Sequence, residues 1–201
     1  VLVAEAGARG NLFNRIGHTR IVFNQAIEIN GDSAIGIITK NKFDVSSSFM
    51  NMKIGNLTND TINSSGNMNG NQAGLVEDTV GIYVDNSNFT GGNIFELTAG
   101  SYNIEFGKYS KGGIMFRADN GELLIKGTNA LLENGEDNIV IMAGKTTSGT
   151  GTITLDSNGV ITVGNGIKSD NTAAVGNSGA YAQDGGRIIN NGVLKITGEN
   201  T

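Results

Sequence analysis

The chain has 201 residues, 31 of them Gly, with no Pro, Cys or Trp and a formal net charge of −5. Only 16% of its residues are charged, against roughly a quarter in a typical soluble domain, so Asn, Ser and Thr supply most of the polarity. The acidic balance argues against nucleic acid, whose phosphates call for clustered Lys and Arg, and the lack of Cys excludes disulfides and thiolate metal sites.

Residues 1–20 are an irregular entry without a clear period. From Ile21 the pattern alternates, through Ile21-Val-Phe23 and then Ile27-Glu-Ile29. Residues 40–79 are the least regular stretch and read as a loop insertion. They hold Phe49, Met50, Met52 and Met68 among many Asn, with weak strand signals near Leu57 and Ile62. Plain strands follow at 93–97, 102–106, 151–155, 160–163 and 187–189. Gly, Asn or Asp stands between nearly every pair, as the punctuation of short strands demands. No stretch carries apolar residues at helical spacing, so the expectation is an all-β chain with almost no helix. No apolar run reaches the roughly 18 residues of a membrane span, and no signal peptide is read. A start at Val1 and an end at Thr201 in mid-motif read as a piece of a longer protein.

Two motifs recur. The first is Ile27-Glu-Ile29-Asn-Gly31-Asp-Ser33-Ala34, Leu123-Leu-Ile125-Lys-Gly127-Thr-Asn129-Ala130 and Leu194-Lys-Ile196-Thr-Gly198-Glu-Asn200-Thr201. Its copies start at 27, 123 and 194, separations that divide into steps of roughly 24 residues, a length suited to stacked solenoid coils. A strand plus a turn cannot bury its own apolar side, so such a unit stacks on copies of itself, here as one domain of about eight coils, roughly 40 Å tall at about 4.8 Å per strand. The second motif is Ile35-Gly-Ile37-Ile38, Val80-Gly-Ile82-Tyr83, Gly113-Ile114-Met115, Ile139-Val-Ile141-Met142 and Ser178-Gly-Ala180-Tyr181. Alternation places Ile37, Ile82, Ile114, Ile141 and Ala180 inward. Ile38, Tyr83, Met115, Met142 and Tyr181 then point outward as an apolar stripe, with the glycines on that same outer side. The two motifs do not share one register.

The tail from Ser178-Gly-Ala-Tyr-Ala182 through Gly185-Gly186 and Asn190-Asn191-Gly192 to Ile196-Thr-Gly198-Glu-Asn200 resembles a repeat of very large bacterial autotransporter adhesins, typified by those of fusobacteria. The match covers about 24 residues closely and is fainter at 27–39 and 79–84. The resemblance implies a right-handed parallel β-helix, here a single-stranded solenoid with irregular loop insertions, forming a type V passenger-domain segment. It implies export to the bacterial cell surface, anchored in the outer membrane through a C-terminal β-barrel absent from this chain, or secreted. It also implies binding to a receptor, protein or glycan, on a host cell or a partner bacterium.

Catalytic patterns are weak. Gly31-Asp-Ser33 resembles the nucleophile region of serine proteases, but Ala34 replaces the expected Gly, and no Asp lies between His18 and Asp32 to orient a base in that chain order. Gly144-Lys145-Thr146 resembles the end of a P-loop, yet Ile139 occupies the leading Gly position. Asp156-Ser-Asn158-Gly159 has the first two spacings of a calcium loop without the later carboxylates, and reads as a hairpin-like turn. Glycoside hydrolysis needs paired carboxylates, and Glu96, Glu105, Asp119, Glu122, Glu133, Glu136 and Asp137 show no repeated position. The expectation is therefore binding without catalysis, cofactor or metal. Candidate contacts are Phe49, Met50, Asn51, Met52, Lys53 and Asn56 in the irregular stretch, where loops on a rigid scaffold favour recognition. Lys108, Tyr109 and Lys111 in a second loop join them, Tyr109 as a solvent-facing ring. The alternatives are an inert stalk and a carbohydrate-active β-helix enzyme.

Overall fold

A computed structural model describes residues 2–4, 19–21, 27–29, 33–39, 43–45, 49–55, 61–62, 68–69, 76–85, 94–97, 101–126, 128–144, 150–168 and 170–197. These residues are all-β, with no helix among them. The first round of the chain is β1 (Leu2–Ala4), β2 (Thr19–Ile21) and β3 (Ile27–Ile29), and the second is β4 (Ile35–Thr39), β5 (Phe43–Val45) and β6 (Phe49–Ile54). An excursion follows: β7 (Thr61–Ile62) and β8 (Met68–Asn69) pair antiparallel, before β9 (Val76–Glu77). The third round is β10 (Val80–Asp85), β11 (Ile94–Leu97) and β12 (Ser101–Phe106), followed by the short β13 (Ser110–Lys111). The fourth is β14 (Ile114–Ile125) and β15 (Thr128–Glu133), the fifth β16 (Ile139–Ala143), β17 (Gly151–Leu155) and β18 (Val160–Asn165). The sixth is β19 (Ser178–Ala182), β20 (Arg187–Asn190) and β21 (Val193–Thr197).

Each round adds one rung to each of three parallel ladders. Ladder A runs β1-β4-β10-β14-β16-β19, ladder B β2-β5-β11-β14-β17-β20 and ladder C β3-β6-β12-β15-β18-β21. The long β14 serves both A and B. Side chains from all three ladders meet in one core, including Ile37, Ile82 and Phe116 from A, Leu123, Ile153 and Leu155 from B, and Met52, Phe106 and Val163 from C.

The second sequence motif marks ladder A. Its register column is Leu2, Ile37, Ile82, Phe116, Ile141 and Ala180, so successive rungs are 45, 34, 25 and 39 residues apart (37 to 82, 82 to 116, 116 to 141, 141 to 180). There is no constant step of 24, and six rounds rather than eight are described. The three copies of the first motif do not share a ladder either, since Ile27 and Leu194 lie in C but Leu123 lies in B. Two inward assignments change. Ile114 is only partly buried and lies outside the core cluster, its expected place taken by Phe116. Ala180 stands in the inward column but is exposed, because no later rung among the described residues covers it.

The glycine of that motif faces the core, not the outer side. An ideal Cβ on Gly36 would sit 2.4 Å from Ile29 Cδ1, and one on Gly81 2.9 Å from the sulfurs of both Met52 and Met115. Met115 stands in the glycine column of round four and is fully buried, so the expectation that it points outward fails. Its sulfur occupies room that Gly81 leaves open. Consecutive residues such as Met115 and Phe116, or Val140 and Ile141, are therefore both buried where ladder C gives way to ladder A.

A backbone device repeats at this corner. Ser33, Asp78, Gly112, Asp137 and Gly176, each two residues ahead of its ladder A strand, all have positive φ (52°, 54°, 63°, 56° and 71°). Left-handed backbone is tolerated by Gly and, among other residues, best by Asn and Asp. The N–H groups of these residues bond up the stack, from Ser33 to Glu77 O, Asp78 to Lys111 O, Gly112 to Glu136 O and Asp137 to Val175 O. One residue later, Asn138 and Asn177 turn inward as a short amide ladder. Gly113 N–H donates to Asn138 Oδ1 at 2.8 Å, and Asn138 N–H donates to Asn177 Oδ1 at 2.9 Å.

Candidate functional site

The outer column of ladder A is Ile38, Tyr83, Arg117, Met142 and Tyr181. Four of the five residues expected in the stripe stand there, and Arg117 replaces Met115. Tyr181 is well exposed, Tyr83 and Ile38 are half-buried and Met142 is nearly covered.

The middle of this column is organised by a bulge. Val84 stands opposite Ala118 but Asp85 opposite Asn120, so Asp119 is an extra residue in β14. Gly121, at φ +93°, lets the strand bend from ladder A into ladder B, which is the common role of a bulge. The bulge turns the Asp119 carboxylate against its own strand, where its side chain is wholly buried and the Arg117 side chain 27% exposed. Arg117 donates from Nε to Asp119 Oδ1 at 2.8 Å and from Nη2 to Oδ2 at 3.0 Å. The Tyr83 hydroxyl donates to Oδ2 at 2.8 Å, and the Arg117 guanidinium lies 5.3 Å from the Tyr83 ring centroid. Asn120 Nδ2 donates to Asp85 Oδ1 at 3.0 Å beside them.

Burial first, and then the hydrogen bond to Asp119, push the Tyr83 phenol well above its ordinary 10. Tyr83 therefore keeps its proton at neutral pH and is no general base. The Asp119 carboxylate is wholly buried and already accepts three hydrogen bonds from Arg117 and Tyr83. The bidentate pair with Arg117 and the bond from the Tyr83 hydroxyl together hold both side chains in one geometry.

The earlier candidates are scattered. Phe49, Met50, Asn51, Met52 and Lys53 do not form a loop but are ladder C strand residues in β6. Met52 is fully buried in the core and Lys53 half-buried, so Met52 is withdrawn as a contact. The insertion narrows to the excursion between Gly55 and Val76, and Asn56 lies outside the described residues, as do His18 and Asp32. Tyr109 is buried, not solvent-facing: its N–H donates to Gly55 O and its ring lies under Lys108 Nζ at 5.2 Å. Lys108 also donates to Asn171 Oδ1 at 3.3 Å. Lys111 pairs with Glu136 at 3.3 Å, and that hydrogen bond first of all holds its ammonium above the ordinary range. Asp156 and Gly159 form a corner between ladders B and C, closed by Gly159 N–H to Asp156 O, rather than a hairpin. Among the described residues no group of three His, Asp or Glu side chains could hold a metal ion.

Sequence reasoning missed the roles of Arg117, Asn120 and Asp85, and placed Asp119 only among unaligned carboxylates. The available signal is the run Arg117-Ala-Asp-Asn-Gly121, which breaks the alternation of a long strand with polar residues ending in Asn-Gly. No protein-family model matches the chain, and comparisons with curated proteins and with solved structures find no match.

Proposed function

We propose that the three ladders are the faces of a right-handed parallel β-helix, and that this segment belongs to the passenger domain of a type V autotransporter adhesin. On this reading it is displayed on the bacterial surface, held to the outer membrane by a β-barrel outside this chain, and binds a host-cell or partner-bacterium receptor without catalysis. Parallel strands joined by crossovers in one sheet are right-handed in about 98% of cases, and each ladder here is parallel throughout. The observation that carries the binding role is the outer column with Tyr83, Arg117 and the exposed Tyr181, in which the buried Asp119 carboxylate pins Tyr83 and Arg117. Tyr and Arg are the side chains enriched at interface centres. A spacer would gain nothing from burying a charge to order an outer face.

The test is direct binding of the purified chain to host and bacterial cells, with free sugars as competitors. Tyr181→Ala, at an exposed position, and Arg117→Lys, which cannot reproduce the fork, each weaken binding about tenfold or more, roughly 1.4 kcal/mol. Folded variants that bind as well as the parent move the site off ladder A. A parent that binds neither cell type favours the stalk.

A further inference from the structure

Independently of the adhesin reading, we propose that Asn191 is a site of spontaneous modification, where the folded chain converts its own asparagine to aspartate and isoaspartate. A glycine that follows asparagine has no Cβ to shield its amide nitrogen, so that nitrogen can reach the side-chain carbonyl carbon just ahead of it. Four Asn-Gly pairs fall where side chains as well as backbone are described: Asn120-Gly121, Asn134-Gly135, Asn158-Gly159 and Asn191-Gly192. Two of them are held. Asn134 is buried, its Oδ1 accepts from Ile167 N–H at 2.9 Å, and Gly135 N–H donates to Ile167 O at 3.0 Å. Asn120 is half-buried and its Nδ2 donates to Asp85 Oδ1.

The other two pairs occupy successive rungs of the corner between ladders B and C. Asn158 and Asn191 are both exposed. Asn158 is exposed even though the sixth round is stacked on the fifth, so accessibility belongs to the corner itself. What separates the two is corner length. Leu155 stands opposite Asn190 and Val160 opposite Val193, so the fifth round turns through Asp156 to Gly159 and the sixth through Asn191 and Gly192 alone. The longer corner closes on its own backbone, with Gly159 N–H donating to Asp156 O at 2.7 Å. That nitrogen must give up a short bond before it can react. The shorter corner has no room for such a turn. Gly192 N–H reaches only Asn190 Oδ1, at 3.2 Å on an exposed side chain. This is the local bond that Asn makes to the backbone two residues on, here at the long end of the usual range, and rotation of the Asn190 side chain frees the nitrogen. The Gly192 nitrogen, its proton lost to water, then bonds to Cγ of Asn191. The bond from Cγ to the side-chain nitrogen breaks, ammonia leaves with the returned proton, and a cyclic succinimide remains. Water opens either ring carbonyl, giving aspartate, or isoaspartate with the main chain rerouted through Cβ and Cγ. Either product puts a new carboxylate on the corner, and isoaspartate lengthens it by one backbone carbon.

The test is to age the purified chain at mildly alkaline pH and map it by tryptic digestion and fragmentation mass spectrometry, with isoaspartate labelled by an isoaspartyl methyltransferase. Asn191 lies in the peptide released between Arg187 and Lys195. It converts about tenfold faster than Asn158, the factor expected where one nitrogen must first break a good hydrogen bond. Unfolded in guanidinium, the two sites react at similar rates, because each is simply an Asn followed by Gly. Asn191→Gln, at an exposed position, keeps the parent's circular dichroism and leaves its peptide unmodified. Gly192→Ala is the poorer control, since a Cβ there would collide with Gly159 O. Conversion of Asn191 no faster than Asn158 in the folded chain overturns the proposal. A gap that persists in guanidinium overturns it too, because the corner then has no part in it. Isoaspartate in that peptide of the Asn191→Gln variant moves the reaction to Asn190.

Discussion

Asn138→Ala is the sharpest test of how the corner between ladders C and A is held. Asn138 is fully buried and its side chain makes three hydrogen bonds: it accepts from Gly113 N–H at 2.8 Å and donates to Ser110 Oγ and Asn134 O, both at 2.9 Å. Ser110 Oγ keeps its own bond to Gly107 O at 2.7 Å, so truncation mainly strands the Gly113 N–H. That group is buried and costs about 1–3 kcal/mol when unsatisfied, with about 1 kcal/mol more for each of the two other bonds. The expected loss is about 3–5 kcal/mol, or a melting point lower by about 6–20 °C for a domain of this size. Asn177→Ala removes the acceptor for Asn138 N–H at the last described rung and is expected to cost less, about 1–2 kcal/mol. Guanidinium unfolding followed by circular dichroism, with m checked between variants, gives both numbers. An Asn138→Ala variant within about 0.5 kcal/mol of the parent, or no worse than Asn177→Ala, refutes the amide ladder as a structural device.

Gly81→Ala places a methyl 2.7 Å from Met115 O and 2.9 Å from two methionine sulfurs, and the overpacking is expected to cost about 1–3 kcal/mol in the same unfolding assay. Register sets Val76 opposite Ser110 and Ile54 opposite Phe106, so a two-residue copy of Lys108-Tyr109 bridges Gly55 to Val76. Replacing 56–75 in this way changes stability by less than about 1 kcal/mol, whereas removing Phe49–Ile54 takes Met52 and Ile54 from the core and abolishes the cooperative transition. In an ultraviolet difference titration Tyr83 ionises above the ordinary phenol range. Because its folded value lies above the ordinary 10, its contribution to stability is complete below about pH 10 and is lost as the pH climbs further. Asp119→Asn lowers the Tyr83 value only part of the way, since burial is the larger cause.

The all-β content and most later strands were legible because their signals are local. The reading at 151–155 matches β17, and those at 102–106 and 187–189 fall one residue short of β12 and β20. The inward placement of Ile37, Ile82 and Ile141 was legible for the same reason. What failed needed the corner. Period two holds within ladder A from Ile82 to Val84 and from Phe116 to Ala118, but the residue just before each stretch is buried as well. An alternation argument carried across that point assigns Met115 outward and Ile114 inward, the reverse of their burial. In round four two adjacent glycines, Gly112 and Gly113, invite alignment with the motif's glycine, but the left-handed backbone at Gly112 matches that at Asp78 and leaves Met115 in the glycine column. The Ser33, Asp78, Gly112, Asp137, Gly176 column stands two places before each strand start, apolar in the first four cases and Ser178 in the fifth. It is a better marker of the rounds than either strand motif.

The Tyr83–Arg117–Asp119 cluster was illegible for a different reason. Its members are 34 residues apart along the chain (83 to 117), and nothing local fixes that distance when rungs are separated by 25 to 45 residues. A contact between neighbouring rungs can be inferred only after the register is known, and the register depends on how each irregular connection is counted. The cluster also depends on a bulge, a one-residue departure that defeats any counting scheme based on strict opposition. The chain's framework is thus written in residues that tolerate particular backbone angles, which sequence reports directly. Its most distinctive outer face is written in residues whose meaning exists only across rungs. A polar interruption inside a long alternating strand, such as Arg117 to Gly121, is the point at which a one-dimensional reading should stop assuming alternation and look for a bend.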